Sequence, residues 1–77
     1  MPKYSMSPDI AKRINNDYQY HAPKDDQQER YVLIRETAKQ LAMVIVQNTP
    51  ASREQSVALT DLDKVVMTAN AAIARNE

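Results

Sequence analysis

The chain has no cysteine, glycine, tryptophan or phenylalanine, and it has one histidine, His21. Without cysteine no disulfide can form, and a lone histidine argues strongly against a structural zinc site, which needs several Cys or His ligands. Without glycine the chain lacks the Gly-rich loops that cradle phosphates and the type I′ turns of tight hairpins. We therefore expect neither a metal nor another cofactor.

Long apolar runs are missing as well. No stretch is long and apolar enough to cross a bilayer, and the N-terminus lacks the apolar segment of a signal peptide. We expect a cytoplasmic protein without membrane association.

Neither sign of charge dominates, since 10 basic residues face 10 acidic ones and the net charge is zero. Proteins that bind duplex DNA usually carry a basic excess, because neutralising phosphates supplies most of their affinity. The zero net charge therefore argues against binding to duplex DNA. A few arginines on a locally basic surface could still hold a small anion.

The 77 residues are enough for one small domain. A fold of this size hides only about 60–65% of its chain surface, so a core made by one chain is marginal. Small proteins compensate with disulfides, metals or self-association, and the first two are excluded here. The sequence therefore predicts a homo-oligomer.

What the sequence does contain is a long amphipathic stretch over residues 26–48. Apolar positions recur three and four residues apart, which indicates a helix and not a strand. Asp26 with Glu29 resembles a capping box, and Asn48-Thr49-Pro50 predicts the end of the helix. The apolar stripe is predicted to comprise Tyr31, Ile34, Ala38, Leu41 and Ile45, with Leu33, Ala42 and Val46 at its edges.

A second long helix is predicted over residues 52–75. Ser52 and Gln55, three residues apart, predict a second capping box at its N-terminus. Because the link between the two long helices is short, they should form an antiparallel hairpin. The small side chains of residues 69–74 would allow close packing against a hairpin from another chain. The predicted apolar stripe is Leu59, Leu62, Val66, Ala69 and Ile73, broadened by Ala58 and Val65.

The N-terminal part should contain a loose tail over residues 1–6 and a short helix over residues 8–16. Ser7 is the predicted N-cap and Pro8 the first helical residue. A connector over residues 17–25 follows, with Tyr18 and Tyr20 as its aromatic residues. One interpretation is that one tyrosine fills the gap between short and long helices. The other is that a ring stacks on a base, with Lys24 or an arginine near its phosphate.

The remaining polar residues support no catalytic arrangement. No Ser, Cys or second His accompanies His21 to complete a triad, and a lone histidine more often makes a structural hydrogen bond. Arg30, Arg35 and Lys39 lie off the apolar stripe of the long helix. Charges placed in this way are most often solvated pairs that contribute little to stability. On the residues alone, the sequence predicts an all-α helical hairpin that oligomerises and is not an enzyme.

Two runs of residues carry a resemblance to a known family. They are YHxPxxxQxxRYxxIR, from Tyr20 to Arg35, and SREQSxALTxLxxxxMxANAAIARNE, from Ser52 to Glu77. Together they resemble the small phage anti-CBASS proteins that act as sponges for cyclic oligonucleotides. The resemblance implies a hexamer of helical hairpins in the host cytoplasm, which binds cyclic di- and trinucleotides without cleaving them.

The resemblance also implies roles for individual residues. Tyr20 matches the family's base-stacking tyrosine, and Arg35 falls where the family has a basic residue on the long helix. Thr37 and Arg75 fall near the family's separate trinucleotide pocket. The full predicted ligand-binding set is Tyr20, His21, Pro23, Lys24, Arg30, Arg35, Thr37, Lys39 and Arg75.

Two alternatives remain open at this point. One is a small helical DNA-binding or regulatory protein that uses the short helix and connector against a groove. The other is a structural phage protein, for which a hairpin is sufficient and the connector aromatics belong to the core.

Overall fold

Three helices make up the secondary structure of the part of the chain that the structure, a computed structural model, describes, residues 3–77. They are α1 (Pro8–Asp17), α2 (Gln27–Asn48) and α3 (Arg53–Asn76). No strand occurs within these described residues, so the all-α prediction is confirmed. Of the predicted tail, Met1 and Pro2 lie outside the described residues, and Lys3–Met6 contain no helix.

The helix starts follow local side-chain chemistry. Ser7 caps α1, since its Oγ accepts from the backbone N–H of Ile10 at 3.2 Å, and Pro8 follows it. Ser52 caps α3, since its Oγ accepts from the N–H of Gln55 at 3.1 Å. These two predicted caps are confirmed, and each satisfies a donor that the helix itself leaves unpaired.

Two predicted capping boxes do not form as expected. Asp26 has φ −90° and ψ 11°, outside the extended region that an N-cap needs, and its side chain makes no cap hydrogen bond. It pairs instead with Arg30 at 3.0 Å. At α3, the amide of Gln55 donates to the carbonyl of Thr49 at 3.1 Å and does not turn back to Ser52. The predicted capping box at Asp26 was therefore wrong. Of the two hydrogen bonds predicted for the box at Ser52, only the one from the backbone N–H of Gln55 to the Ser52 hydroxyl is present.

The antiparallel packing of α2 on α3 is the main tertiary contact of the described chain. The α3 stripe is half-buried as predicted, with Val65 alone on the exposed side. On α2, however, Ala42 is half-buried whereas Leu41 is 47% exposed, so the predicted stripe was wrong at that position. Leu41 lies to one side of the contact between α2 and α3, so part of its side chain remains in solvent, whereas the small side chain of Ala42 lies within that contact.

A single copy of the chain does not make a closed core. None of the apolar side chains among residues 3–77 is buried, and the accessible surface is 6679 Å². A compact protein of this mass would expose only about 4,800 Å². The radius of gyration is 17.3 Å and the thinnest dimension is 15 Å. A compact domain of this length has a radius of gyration of about 11 Å. The single chain is a flat plate whose apolar side chains remain exposed to solvent.

The short helix α1 is attached to the hairpin by its C-terminal end. The side-chain amide of Asn16 donates to the carbonyl of Arg75 at 3.1 Å. Ile10 and Ile14 stay about half exposed. The connector therefore begins close to the C-terminal end of α3, and this places it beside the N-terminal end of α2.

Candidate functional site

The connector tyrosines do not fill a gap in the fold. Tyr18 is 86% exposed and Tyr20 is 83% exposed. The interpretation that one of them plugs the space between the short and long helices was therefore wrong for this chain. Two phenol rings beside Pro23, also exposed, present flat apolar faces to solvent.

The base of the hairpin, where the start of α2 meets the end of α3, holds a network around Glu77. The Arg30 guanidinium donates to both carboxylate oxygens of Glu77, one of them at 2.7 Å. The side-chain amide of Gln27 donates to the same carboxylate at 3.1 Å. Lys24 Nζ donates to the carbonyl of Glu77 at 2.6 Å. A forked guanidinium that meets both oxygens of an acid is the strongest type of ion-pair geometry.

This network keeps the Glu77 side chain ionised. Hydrogen bonds from Arg30 and, to a smaller extent, from Gln27 lower the pKa of Glu77 from 4.5 to about 2. The hydrogen bond to Glu77 in turn raises the pKa of Arg30. Because the folded-state pKa of Glu77 is lowered, the contact stabilises the fold fully above pH 4.5. Its contribution is lost as the pH falls from 4.5 towards 2. The Glu77 carboxylate therefore stays ionised, and paired with Arg30, at pH values where a free glutamate side chain would be protonated.

A groove of about 620 Å³ lies against this network. His21, Lys24 and Arg75 from the predicted set all line it, together with Gln27 and Glu77. His21 is already engaged, because its Nε2 lies 2.9 Å from the carbonyl oxygen of Asn16. Such a contact fixes the ring and holds the connector against the end of α1.

Arg75 is engaged as well. Its guanidinium donates to the carbonyl of Asp17 at 3.3 Å and lies 3.7 Å from the Asp17 carboxylate. Both contacts join α3 to the end of α1, so they set where the connector starts. In the single chain, Arg75 positions the connector.

The other predicted cations lie farther along the hairpin. Arg35 and Lys39 line a groove of about 360 Å³ on one side of the seam, with Asp63 and Met67 of α3 opposite. Within residues 3–77, neither Arg35 nor Lys39 has an acid within ion-pair distance. Both side chains are exposed, so they could bind an external anion without breaking an existing contact.

Thr37 lies on the other side of the same seam. It lines a mostly apolar groove of about 310 Å³, together with Leu33, Leu41 and Val65. The two grooves share Ala38, Leu62 and Val66 as their floor. Thr37 thus lines a groove on the hairpin seam, whereas Arg75 lines the groove at the base of the hairpin. One chain therefore does not bring these two residues together.

Sequence reasoning missed two members of the network at the base. Gln27 is the one buried residue among those described, at 4% exposure, and it is polar. Glu77 supplies the carboxylate. Both are part of the quoted motifs, so the signal was present. Their contact joins residues 50 positions apart, which helical periodicity does not reveal.

No group of three or more His, Cys, Asp or Glu side chains among residues 3–77 could hold a metal ion. No helix in this part of the chain is long and apolar enough to span a membrane.

Comparison with known proteins gives one result. The family described as "Acb2/Tad1, hairpin domain" matches residues 10–74, from within α1 almost to the end of α3. No curated protein and no solved structure gives a significant match. The matched segment contains both connector tyrosines and every predicted ligand-binding residue except Arg75.

Proposed function

The chain belongs to the Acb2/Tad1 hairpin-domain family of anti-CBASS sponges, and on that premise we propose that it sequesters cyclic di- and trinucleotides for a phage. Members of this family bind cyclic oligonucleotides and are not enzymes. The match over residues 10–74 carries the proposal. By binding the second messengers of CBASS immunity in the host cytoplasm, the protein keeps their effectors inactive.

The proposed binding form is a homo-oligomer, a hexamer by family resemblance. The incomplete core of a single chain supports self-association, because 6679 Å² of accessible surface leaves large apolar side chains in water. Leu33 and Val65 are 66% and 61% exposed and lie beside one groove. A second hairpin laid on this face would bury both side chains.

In the proposed dinucleotide site, Tyr20 of one protomer stacks on a base and Arg35 of a neighbouring protomer binds a phosphate. The exposed ring of Tyr20 supports the first role, and the absence of an acid within ion-pair distance of Arg35 among residues 3–77 supports the second. A cyclic dinucleotide offers two bases and two phosphates, so a symmetric interface can use the same pair of residues twice. Lys39, on the same side of the hairpin as Arg35, adds positive charge.

For the trinucleotide we propose a separate pocket near Thr37 and Arg75. The two residues lie in different grooves of one chain, so the pocket requires residues from more than one protomer. Pro23 and His21 shape the connector beside it, and Lys24 and Arg30 lie at the base of the hairpin. Duplex DNA is not an expected ligand, since the net charge is zero.

The first test distinguishes sequestration from turnover. The protein is incubated with 3′,3′-cyclic GMP–AMP or a cyclic triadenylate and separated from free ligand. It is then denatured, and the released ligand is analysed by chromatography. We expect intact cyclic nucleotide in stoichiometric amounts, because no activated nucleophile and no paired general acid and base can be assembled from this sequence. Linear product would show catalysis, and no retained ligand would contradict the proposal.

The second test concerns base stacking. Tyr20→Ala should weaken binding of cyclic GMP–AMP by about ten-fold or more, because a stacked base contributes about 1–3 kcal/mol. Tyr20→Phe should have a small effect, since stacking needs the ring and not the hydroxyl. Isothermal titration calorimetry measures both.

Tyr18→Ala is the matched control for this test. It removes an equally exposed tyrosine two positions away and should leave the affinity unchanged. If Tyr18→Ala weakens binding and Tyr20→Ala does not, the stacking residue has been assigned to the wrong ring.

A further inference from the structure

The network at the base of the hairpin has the donor set of an anion-binding site. Arg30 supplies a guanidinium fork, Gln27 a side-chain amide and Lys24 an ammonium group, and all three donate to Glu77. A guanidinium fork matches phosphate oxygens as well as it matches a carboxylate. Arg30 and Gln27 converge on the side-chain carboxylate of Glu77, the residue that follows α3, whereas Lys24 donates to the main-chain carbonyl of the same residue.

The donor residues Gln27 and Arg30 are held in place by contacts other than those with Glu77. Gln27 is buried, and its Oε1 accepts from the backbone N–H of Lys24 at 3.1 Å, so the amide nitrogen is aimed at the carboxylate. The Nη2 of Arg30, which contacts Glu77, is also 3.0 Å from the carboxylate of Asp26, and this second ion pair helps to fix the guanidinium. The Glu77 side chain is 39% exposed and follows the last residue of α3.

Donor capacity also remains unused. The Nε of Arg30 is enclosed and has no hydrogen-bond partner among the described residues. A carboxylate that binds the two terminal nitrogens of the guanidinium leaves the third nitrogen, Nε, without a partner. A phosphodiester has two charged oxygens, like a carboxylate, but its tetrahedral phosphorus directs them and the two ester oxygens out of one plane, so it could reach the Nε as well as the terminal nitrogens.

A purely structural role is the simpler account of Glu77. Cations near the C-terminal end of a helix interact favourably with its dipole, and a tether there would hold α3 against α2. That account explains Lys24 on the Glu77 carbonyl. It gives no reason for the enclosed, unpartnered Arg30 Nε or for the adjoining groove of about 620 Å³, which is lined by His21, Arg75 and Lys24.

We propose that Arg30, Gln27 and Lys24 form an anion site for a phosphate of the bound nucleotide, and that Glu77 occupies it in the free protein as an intramolecular competitor. The inference rests on the proposed function for the identity of the ligand. A tethered carboxylate has a high effective concentration, so the phosphate must displace it and the apparent affinity is reduced. The site thus binds multivalent phosphate compounds in preference to weak single anions.

The experiment compares Glu77→Gln with Glu54→Gln. Both remove one negative charge, but Glu54 lies in the first turn of α3, far along the chain from the network. Affinity for cyclic GMP–AMP is measured by isothermal titration calorimetry at fixed ionic strength. Glu77→Gln should bind about ten-fold more tightly, the factor expected when one competing charge-assisted hydrogen bond is removed. Glu54→Gln should match the wild type, and adding Arg30→Gln to Glu77→Gln should abolish the gain.

A second probe does not depend on the cyclic nucleotide. Sodium pyrophosphate is titrated against ¹⁵N-labelled protein, and the side-chain signals of Gln27 and Arg30 are followed by NMR. They should shift at much lower pyrophosphate concentration in Glu77→Gln than in the wild type. Equal shifts in both proteins, or none in either, would overturn the anion site.

The two probes separate the two proposals. If the wild type binds no cyclic nucleotide but pyrophosphate behaves as expected, the proposed function fails and the anion site stands. If Glu77→Gln does not fold, Glu77→Asp replaces it, because it keeps the charge and withdraws the carboxylate by one methylene. That variant should show an intermediate shift in pyrophosphate response, and a wild-type response from it would contradict the competition.

Discussion

Replacing Val65 with glutamate is expected to convert the proposed homo-oligomer into monomers. Val65 is 61% exposed and lies where the apolar groove beside Leu33 and Leu41 meets the outer surface of α3 at Ala69 and Ala72. Burying a Val or Leu side chain contributes about 1.5–3 kcal/mol, and a two-fold interface counts each such side chain twice. A buried, unpaired carboxylate adds a further penalty.

The combined loss for Val65→Glu is therefore above about 3 kcal/mol, which corresponds to more than a hundred-fold weaker association. Light scattering at micromolar concentration should give the mass of a single chain, 8.8 kDa. Circular dichroism should still show helices, because the side chain is outside the α2–α3 seam. Substituting Ala69 or Ala72 with a bulky residue should act in the same direction.

Thr60→Glu is the control for this experiment. It places the same side chain at another exposed position of α3 that lines neither the apolar groove nor its continuation at Ala69 and Ala72. This variant should remain assembled. A wild-type protein that is already monomeric, or a Val65→Glu protein that stays assembled, would contradict the assignment of this face to self-association.

Reversing the charge at Arg35 is expected to remove most of the cyclic dinucleotide affinity while leaving the oligomer intact. A charge-assisted hydrogen bond to phosphate contributes about 1.5–3 kcal/mol. Glutamate removes that bond and sets a like charge against the phosphate. We therefore expect Arg35→Glu to weaken binding by about a hundred-fold, measured by calorimetry, and to be worse than Arg35→Ala.

Two companion variants define what Arg35 contributes. Arg35→Lys keeps the charge but replaces the fork with a point charge, so it should retain part of the affinity. Arg53→Glu makes the same change of charge at an exposed position in the first turn of α3 and should bind as the wild type does. Equal losses in Arg35→Glu and Arg53→Glu would indicate a general electrostatic effect and would place the phosphate contact elsewhere.

Much of the architecture was predictable from local sequence chemistry. Ser7 and Ser52 were identifiable as caps because a hydroxyl before a helix pairs a free backbone N–H within three residues. The recurrence of Ile34, Ala38 and Ile45 indicated which side of α2 meets α3. These signals act over one or two helical turns, so a single sequence is sufficient to show them. The two motifs identified the family for the same reason, since they are local patterns.

Other features were decided only when the helices were placed together. Whether Leu41 or Ala42 enters the seam depends on the rotation of α2 against α3, and a stripe several positions wide does not specify it. Asp26 has the composition of a cap but lacks the backbone angles, because the turn at Asp25, with φ 52°, brings the chain into α2 by another route. Both connector tyrosines face solvent because α1 is attached by its end and leaves no gap for either ring to fill.

Three arginines of the long helices differ in their ion pairs, and only the tertiary structure shows the difference. By composition and periodicity alone, Arg30, Arg35 and Arg75 are equivalent basic residues on amphipathic helices. In the fold, Arg30 is paired with Glu77 and Arg75 with Asp17, across 47 and 58 positions, whereas Arg35 has no acid within ion-pair distance among the described residues. Periodicity indicates which residues share a face, but the axial alignment of two helices determines which charges meet at their ends. Composition and local pattern thus determined the helices and the family, and only the tertiary structure decided which charged groups stay free to meet a ligand.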